Sequence, residues 1–119
     1  MIRIAMAGAA GVLLRFGIDR CLAVKSGTFP LNTWIINILG SFLAGILFIY
    51  FDRGAAPSHW RAPVLVGLLG GFTTFSAYSL QTAAMLESGR INAALLYWST
   101  SPIVGLAAAW AGLKIGRSI

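Results

Sequence analysis

Few residues of this sequence could do chemistry, and one charged pair lies inside a long apolar stretch. Arg15 and Asp19 are four residues apart, a spacing that places both side chains on one face of a helix. A charged side chain near the centre of a membrane helix costs about 2.5–3.5 kcal/mol on insertion scales, so it usually faces protein or water. Two interpretations remain open. The pair neutralises itself while reaching toward the membrane surface, or Arg15 fixes a positive charge at the mouth of an anion path.

Polar residues also form stripes on two other apolar segments. Asn37 and Ser41 are four residues apart, and Tyr97, Ser101 and Gly105 repeat that step. An amide at membrane depth needs a hydrogen-bond partner. That partner is either a neighbouring helix or a permeating solute, and the spacing does not separate the two.

Residues 67–76 are the most informative part of the chain, because they place Gly70, Gly71, Thr73 and Thr74 in the middle of an apolar stretch. Glycine costs about 1 kcal/mol in a helix interior, and adjacent glycines favour a break. A break frees carbonyl and N–H groups that lipid cannot satisfy, and broken membrane helices satisfy such groups by binding ions. We expect the main chain to unwind at these glycines and threonines, with a threonine capping the restart. A continuous helix with a glycine face for close packing is the alternative.

Two aromatic residues follow this segment at a spacing of three, Phe75 and Tyr78, with Ser76 and Ser79 beside them. An aromatic ring carries a positive edge. Two ring edges turned toward a narrow path would favour an anion that has lost part of its water. Ordinary packing gives the same spacing, so this interpretation is one of two.

Membrane-crossing helices must position all of these residues. Hydrophobic residues make up 58% of the 119-residue chain and charged residues only 10%, against about 25% charge in an ordinary globular domain. The apolar stretches predict an all-α membrane protein, with one domain over 1–119 and spans at 4–24, 30–51, 62–86 and 91–113. Each has roughly the 20 residues that a bilayer core requires. The first span also resembles a signal peptide, but its removal would take away a helix against which the others pack.

Charge composition constrains both the partners and the orientation. The net charge is +6, but the basic residues are scattered, which argues against a nucleic-acid partner. The basic residues outside the spans' interiors are Arg3, Arg53, Arg61, Lys114 and Arg117 on the side of the termini, and Arg20, Lys25 and Arg90 on the other side. Orientation follows the difference between the two sides, and five against three is a small difference. The weak bias suggests an antiparallel pair of two copies, with a single fixed topology as the alternative.

Small residues at a spacing of four favour close contact between helices. Ser41 and Gly45 have this spacing, as do Gly112 and Gly116. The contacts could join two copies of the chain, or they could simply close the bundle of a single copy.

Four segments of the chain, taken in order, carry the motifs of one known family. They are Gly8–Phe16 in the first helix, Gly27-Thr28 with Asn37–Phe42 in the second, Gly70–Ser76 in the third, and the spacing of Tyr97, Ser101 and Gly105 in the fourth. The third of these, Gly-Gly-Phe-Thr-Thr-Phe-Ser, is the most specific. Together they resemble the Fluc fluoride channels over nearly the whole sequence.

The resemblance implies a dual-topology homodimer of four-helix subunits, with the third helix broken and two antiparallel pores along the subunit interface. It implies a central Na⁺, structural and not transported, held by the backbone carbonyls of Gly70 and Thr73 from both subunits. The pore and anion-binding residues that it implies are Asn37, Phe75, Tyr78, Ser76, Ser79, Tyr97, Ser101 and Arg15. The implied activity is not enzymatic: fluoride leaves the cytoplasm passively across the inner, or plasma, membrane.

Three residues depart from the family pattern. Tyr78 stands where phenylalanine is usual, Gln81 stands where glutamate is expected, and Pro102 is not typical of the fourth helix. None of them alters the glycine–threonine segment.

Two other classes of membrane protein are the alternatives. A small multidrug-type antiporter needs an ionisable carboxylate deep in a helix, whereas the acids here are Asp19, Asp52 and Glu87, all near the ends of spans. A non-transporting assembly subunit would use the same small-residue packing. It would have no reason to combine Arg15, Asn37 and a broken third span.

Overall fold

The computed structural model describes residues 1–24 and 28–119, and it contains no strand within those ranges. Its α-helices are α1 (Ile2–Cys21), α2 (Leu31–Asp52), α3 (Leu69–Phe72), α4 (Phe75–Glu87) and α5 (Ile91–Ser118). A 3₁₀ turn (Ser58–Trp60) and a π-helical segment (Pro63–Leu68) precede α3. The π-helical segment, α3 and α4 follow one another, and we call them together the broken helix. Lys25 and Gly27, which entered the charge comparison and the family resemblance, lie outside the described residues.

Helices long and apolar enough to cross a membrane make up most of the fold. Among the described residues there are three such stretches, Leu31–Asp52, Ser58–Glu87 and Ile91–Ser118. The shortest has 22 residues, which at 1.5 Å per residue gives about 33 Å, enough for a bilayer core. The 20-residue α1 is equally helical but contains four charged residues. A fourth span over 4–24 therefore stays a prediction.

The helices pack in two groups, one around α5 and one around α1. α2 lies along α5, whereas α1 lies along the first half of the broken helix, and α4 returns to pack against α5. The contact between α2 and α5 is made backbone to backbone, because a side chain at Gly45 would strike the Ala109 carbonyl and one at Gly112 would strike the Phe42 carbonyl. The small residues of these two helices thus close the bundle of a single chain.

The interruption of the broken helix falls on two threonines. Thr73 has φ −85° and ψ 158°, and Thr74 has φ −149° and ψ 120°, so both are extended. The expected unwinding is therefore observed at the threonines, whose β-branched side chains suit extended backbone. At Gly70 and Gly71 the expectation is wrong, because both lie inside α3. Gly71 lies against the carbonyl of Gly8 in α1, where a side chain would not fit.

The first half of the broken helix is wider than an α-helix. The N–H of Leu69 donates to the carbonyl of Val64, five residues earlier, as in a π-helical turn. Pro63 opens this segment, a position where the missing N–H of proline costs nothing. Nothing in the sequence pattern predicted this widening.

Candidate functional site

An open groove of about 410 Å³ runs beside the interruption of the broken helix. α2, the broken helix and α5 all contribute to its walls. The residues predicted from sequence that line it are Asn37, Gly70, Thr73, Phe75, Tyr78 and Ser101. The fold thus gathers six of the candidate residues in one place, although they come from three separate parts of the chain.

Asn37 bridges α2 to the extended residues. Its Nδ2 donates to the Thr74 carbonyl at 3.0 Å, and its Oδ1 accepts from the Thr74 N–H at 2.8 Å. The amide oxygen therefore takes the place of the carbonyl that would accept from the Thr74 N–H in a continuous helix. An amide nitrogen carries two hydrogens, so Asn37 keeps one donor beyond its bond to the Thr74 carbonyl.

The interruption removes the helical donors of the carbonyls of residues 70–73, and for two of these carbonyls the new partner of the lost donor is seen. In a continuous helix the Gly70 carbonyl would accept from the Thr74 N–H, and the Thr73 carbonyl would accept from the Ala77 N–H. The first donor is diverted to Asn37 Oδ1 at 2.8 Å, and the second to Thr74 Oγ1 at 3.2 Å. Thr74 thereby caps α4, as expected for one of the two threonines.

The Gly71 carbonyl, which lies between these two in sequence, accepts from a side chain of another helix. Arg15 on α1 donates its Nε to the Gly71 carbonyl at 3.2 Å, so its positive charge lies at the carboxyl end of the first half of the broken helix. Asp19 instead accepts from Asn32 Nδ2 at 3.0 Å, and the described residues contain no ion pair between Arg15 and Asp19. The interpretation that Arg15 and Asp19 neutralise each other is therefore wrong. Arg15 is absent from the groove lining, so its role in the path stays a prediction.

The two aromatic residues lie at a junction between grooves. The rings of Phe75 and Tyr78 have centroids 5.6 Å apart and are tilted by 49°. Both residues line the first groove and also a second groove of about 430 Å³, to which Ser79 contributes. Phe75 is 79% exposed in the single chain. Ser76 lies beside the cap, with its hydroxyl 3.4 Å from that of Thr74.

The two hydroxyls predicted on α5 have different environments. The Oγ of Ser101 is buried and has no hydrogen-bond partner among the described residues. Tyr97 is completely buried, and its hydroxyl donates to Gln81 Oε1 at 2.7 Å. Gln81 in turn donates to Thr33 Oγ1 at 2.9 Å. Only Ser101 therefore reaches the first groove, while Tyr97 belongs to a network behind it.

Sequence reasoning missed the roles of Gln81 and Thr33 in this network. A helical signal was available, because Thr33 precedes Asn37 by four residues and Gln81 follows Tyr78 by three. Thr33 thus shares a helix face with Asn37, and Gln81 shares one with Tyr78.

A family model described as "CrcB-like protein, Camphor Resistance (CrcB)" matches residues 2–113. The chain belongs to the CrcB family. Several curated relatives carry the name fluoride-specific ion channel. The CrcB chain is 44% identical to FluC 2 of Symbiobacterium thermophilum, over 97% of this chain and 95% of the relative. It is 42% identical to FluC of Pseudomonas putida, over 92% and 90%, and 40% identical to FluC of Thermus thermophilus, over 98% and 94%.

These matches confirm the resemblance seen in the sequence, since the relatives bear the name of the same channel family. CrcB membership, together with the three membrane-length apolar helices found among the described residues, makes the chain a membrane protein. The family consists of ion channels and not of enzymes.

Proposed function

We propose that this protein is a passive fluoride channel that lets fluoride leave the cytoplasm and so lowers its toxicity. The names of its relatives support this function. The observation that carries it is the buried, unpartnered hydroxyl of Ser101 in the groove. A buried donor without a partner costs free energy, and a small anion that accepts hydrogen bonds would satisfy it.

The rest of the groove suits the same anion. Asn37 contributes an amide with one N–H to spare, and Phe75 and Tyr78 bring ring edges that carry partial positive charge. No acidic side chain is among the described residues that line the groove. A fluoride ion there would meet donors and no repelling charge.

We infer that the working form is an antiparallel pair of identical four-span subunits. The single chain leaves the groove open, with Phe75 and Gly70 both exposed on it. A second copy in the opposite orientation would cover these residues and close the groove. The symmetry of such a pair gives each copy its own groove, and hence two pores per dimer.

We propose that a structural Na⁺ lies where the two broken helices meet. The donor set fits, because the carbonyls of Gly70 and Thr73 have both lost their helical donors. Neutral carbonyl oxygens are suitable ligands for a hard cation, and two from each of two copies make four. When bound, the ion offsets the partial negative charge of these oxygens. It is not transported.

A passive route needs no coupling ion. In a plasma membrane that is negative inside, an anion is driven outward by about 2.3 kcal/mol per 100 mV. The acids lie away from mid-membrane: Asp52 and Glu87 end their helices, and Asp52 is 3.8 Å from Arg61. A proton-coupled antiporter would lack its carboxylate relay.

Fluoride conduction can be tested with purified protein in liposomes that hold a fluoride gradient, with release followed by a fluoride electrode. We expect fast release with the protein and slow release from protein-free liposomes. A matched chloride gradient should dissipate much more slowly. Fluoride release equal to that of protein-free liposomes, with chloride passing, would overturn the proposal.

The orientation of the two copies can be read from Cys21, the single cysteine of the chain, which is exposed. In spheroplasts a membrane-impermeant maleimide should label about half of the chains if both orientations are inserted equally. Permeabilised cells give the total. Labelling of all chains, or of none, before permeabilisation would contradict the antiparallel pair.

The Na⁺ proposal has its own readout, the thermal stability of the dimer in detergent. We expect the unfolding midpoint to fall when Na⁺ is replaced by a large organic cation at equal ionic strength. A midpoint that is indifferent to this exchange would count against a bound ion.

A further inference from the structure

Pro102 lies inside α5 and leaves one of its carbonyls without a helical donor. Proline has no N–H, so the carbonyl four residues earlier, that of Trp98, loses its hydrogen bond, and the proline ring also crowds it. Within a membrane such a group must be satisfied by the protein itself. The Trp98 carbonyl therefore needs a donor from elsewhere in the protein.

The donor comes from another helix. Tyr78 on α4 donates its hydroxyl to the Trp98 carbonyl at 2.6 Å, a short distance within the range of O–H···O hydrogen bonds. Tyr78 and Pro102 are two of the three residues that depart from the family pattern. They meet at one carbonyl.

The bond also restrains the Tyr78 ring. The centroid of the ring lies 5.6 Å from that of Phe75 and 5.3 Å from that of Tyr97. With its hydroxyl bonded to α5, the ring cannot swing away from the groove that it lines. A free phenol would offer the groove a strong O–H donor, whereas the hydroxyl of Tyr78 is already bonded to the Trp98 carbonyl.

We propose that Tyr78 and Pro102 act as one positioning unit. The Tyr78 hydroxyl replaces the N–H that Pro102 removes, and the resulting bond to the Trp98 carbonyl holds the ring in the wall of the groove. This inference rests on the proposed function only in that the groove conducts fluoride. The hydrogen bond and its dependence on Pro102 are independent of what the groove conducts.

A double-mutant cycle on the full-length protein in detergent tests the coupling. We expect Tyr78→Phe to lower the midpoint of thermal unfolding by about 4 °C, since it leaves a carbonyl without its donor. In a Pro102→Ala background the same change should lower the midpoint by less than half as much, because the new N–H serves Trp98. The exposed Tyr50 provides a matched control, and Tyr50→Phe should have the same small effect in both backgrounds. Equal losses from Tyr78→Phe in the two backgrounds would overturn the inference.

A spectroscopic measurement reports on the carbonyl itself. Tryptophan labelled with ¹³C at its carbonyl gives a shifted amide I band, and subtraction of the Trp98→Phe spectrum isolates residue 98. We expect this band to move to higher frequency in Tyr78→Phe and to move back when Pro102→Ala is added. A band that keeps its frequency in Tyr78→Phe would show that the Tyr78 hydroxyl does not bind the Trp98 carbonyl.

Fluoride release separates this inference from the proposed function. We expect Tyr78→Phe to slow release several-fold with either proline or alanine at position 102, because a phenylalanine ring has no hydroxyl to hold it against the Trp98 carbonyl. If the unaltered protein released no fluoride, the proposed function would fail, and the thermal and infrared couplings would still decide this inference. If the unaltered protein released fluoride normally but neither the thermal nor the infrared coupling were seen, this inference would be overturned and the proposed function would stand.

Discussion

The side-chain amide of Asn37 holds both backbone polar groups of Thr74, donating to the carbonyl at 3.0 Å and accepting from the N–H at 2.8 Å. One side chain on α2 thus fixes the orientation of the extended residues in the broken helix. Its Oδ1 also takes the donor that would otherwise serve the Gly70 carbonyl. The amide therefore shapes the groove, and at the same time frees a backbone oxygen there.

Asn37→Asp should suppress fluoride release by well over tenfold. The carboxylate loses the donor to the Thr74 carbonyl and places a negative charge in the groove. Two unit charges 4 Å apart interact by about 4 kcal/mol at an effective dielectric of 20, and each 1.36 kcal/mol of barrier is about tenfold in rate. Release from liposomes measures the effect. Asn92→Asp makes the same change at an exposed residue of α5 and should leave release unchanged; unchanged release in Asn37→Asp would remove this residue from the path.

Thr74→Ala should destabilise the protein by about 1 kcal/mol, the usual loss when a capping hydroxyl is removed. Thr74 Oγ1 accepts from the Ala77 N–H at 3.2 Å, and alanine offers no acceptor. Thr74→Ser keeps the hydroxyl and should retain most of the stability. Chemical unfolding in detergent compares the three proteins. Equal stability of the alanine and serine variants would show that the cap contributes nothing.

Local preferences made the interruption of the broken helix predictable, but not the role of each residue in it. Extended conformation at Thr73 and Thr74 follows from their own side chains. The glycines were misassigned because the same residue type serves flexibility and close packing. Which of the two applies to Gly71 is decided by the carbonyl of Gly8 on another helix, and no local pattern contains that information.

The residues of the candidate site were also predictable only in part. Helical spacing predicted that Asn37 and Ser41 share one face of α2, and both line the groove, because periodicity determines which face of a helix a residue occupies. Hydrogen-bond partners depend instead on how helices are positioned against each other. Arg15 therefore binds the Gly71 carbonyl, 56 residues away, and not Asp19, four residues away. The partnership of Gln81 with Tyr97 was missed for the same reason.

Ser101→Ala should slow fluoride release while leaving stability unchanged or slightly higher. The hydroxyl of Ser101 is buried without a partner among the described residues, so its removal breaks no hydrogen bond within them and relieves a desolvated donor. Ser99→Ala is the matched control, because the Ser99 hydroxyl donates to the Leu95 carbonyl at 2.7 Å within its own helix. We expect the control to conduct normally. Faster unfolding of Ser101→Ala with unchanged release would assign this hydroxyl to the fold and not to the path.

Gly70→Ala should weaken the dimer, whereas Gly17→Ala should not. Both glycines are exposed helical residues, and a side chain at either would meet no atom within 4 Å in the described part of the chain. Alanine should therefore favour each helix by about 1 kcal/mol. Only Gly70 lies on the groove where the second copy is proposed to pack. The monomer–dimer equilibrium in bilayers, measured with and without Na⁺, should shift toward monomer for Gly70→Ala alone, and equal dimerisation of both variants would contradict pairing through the broken helix.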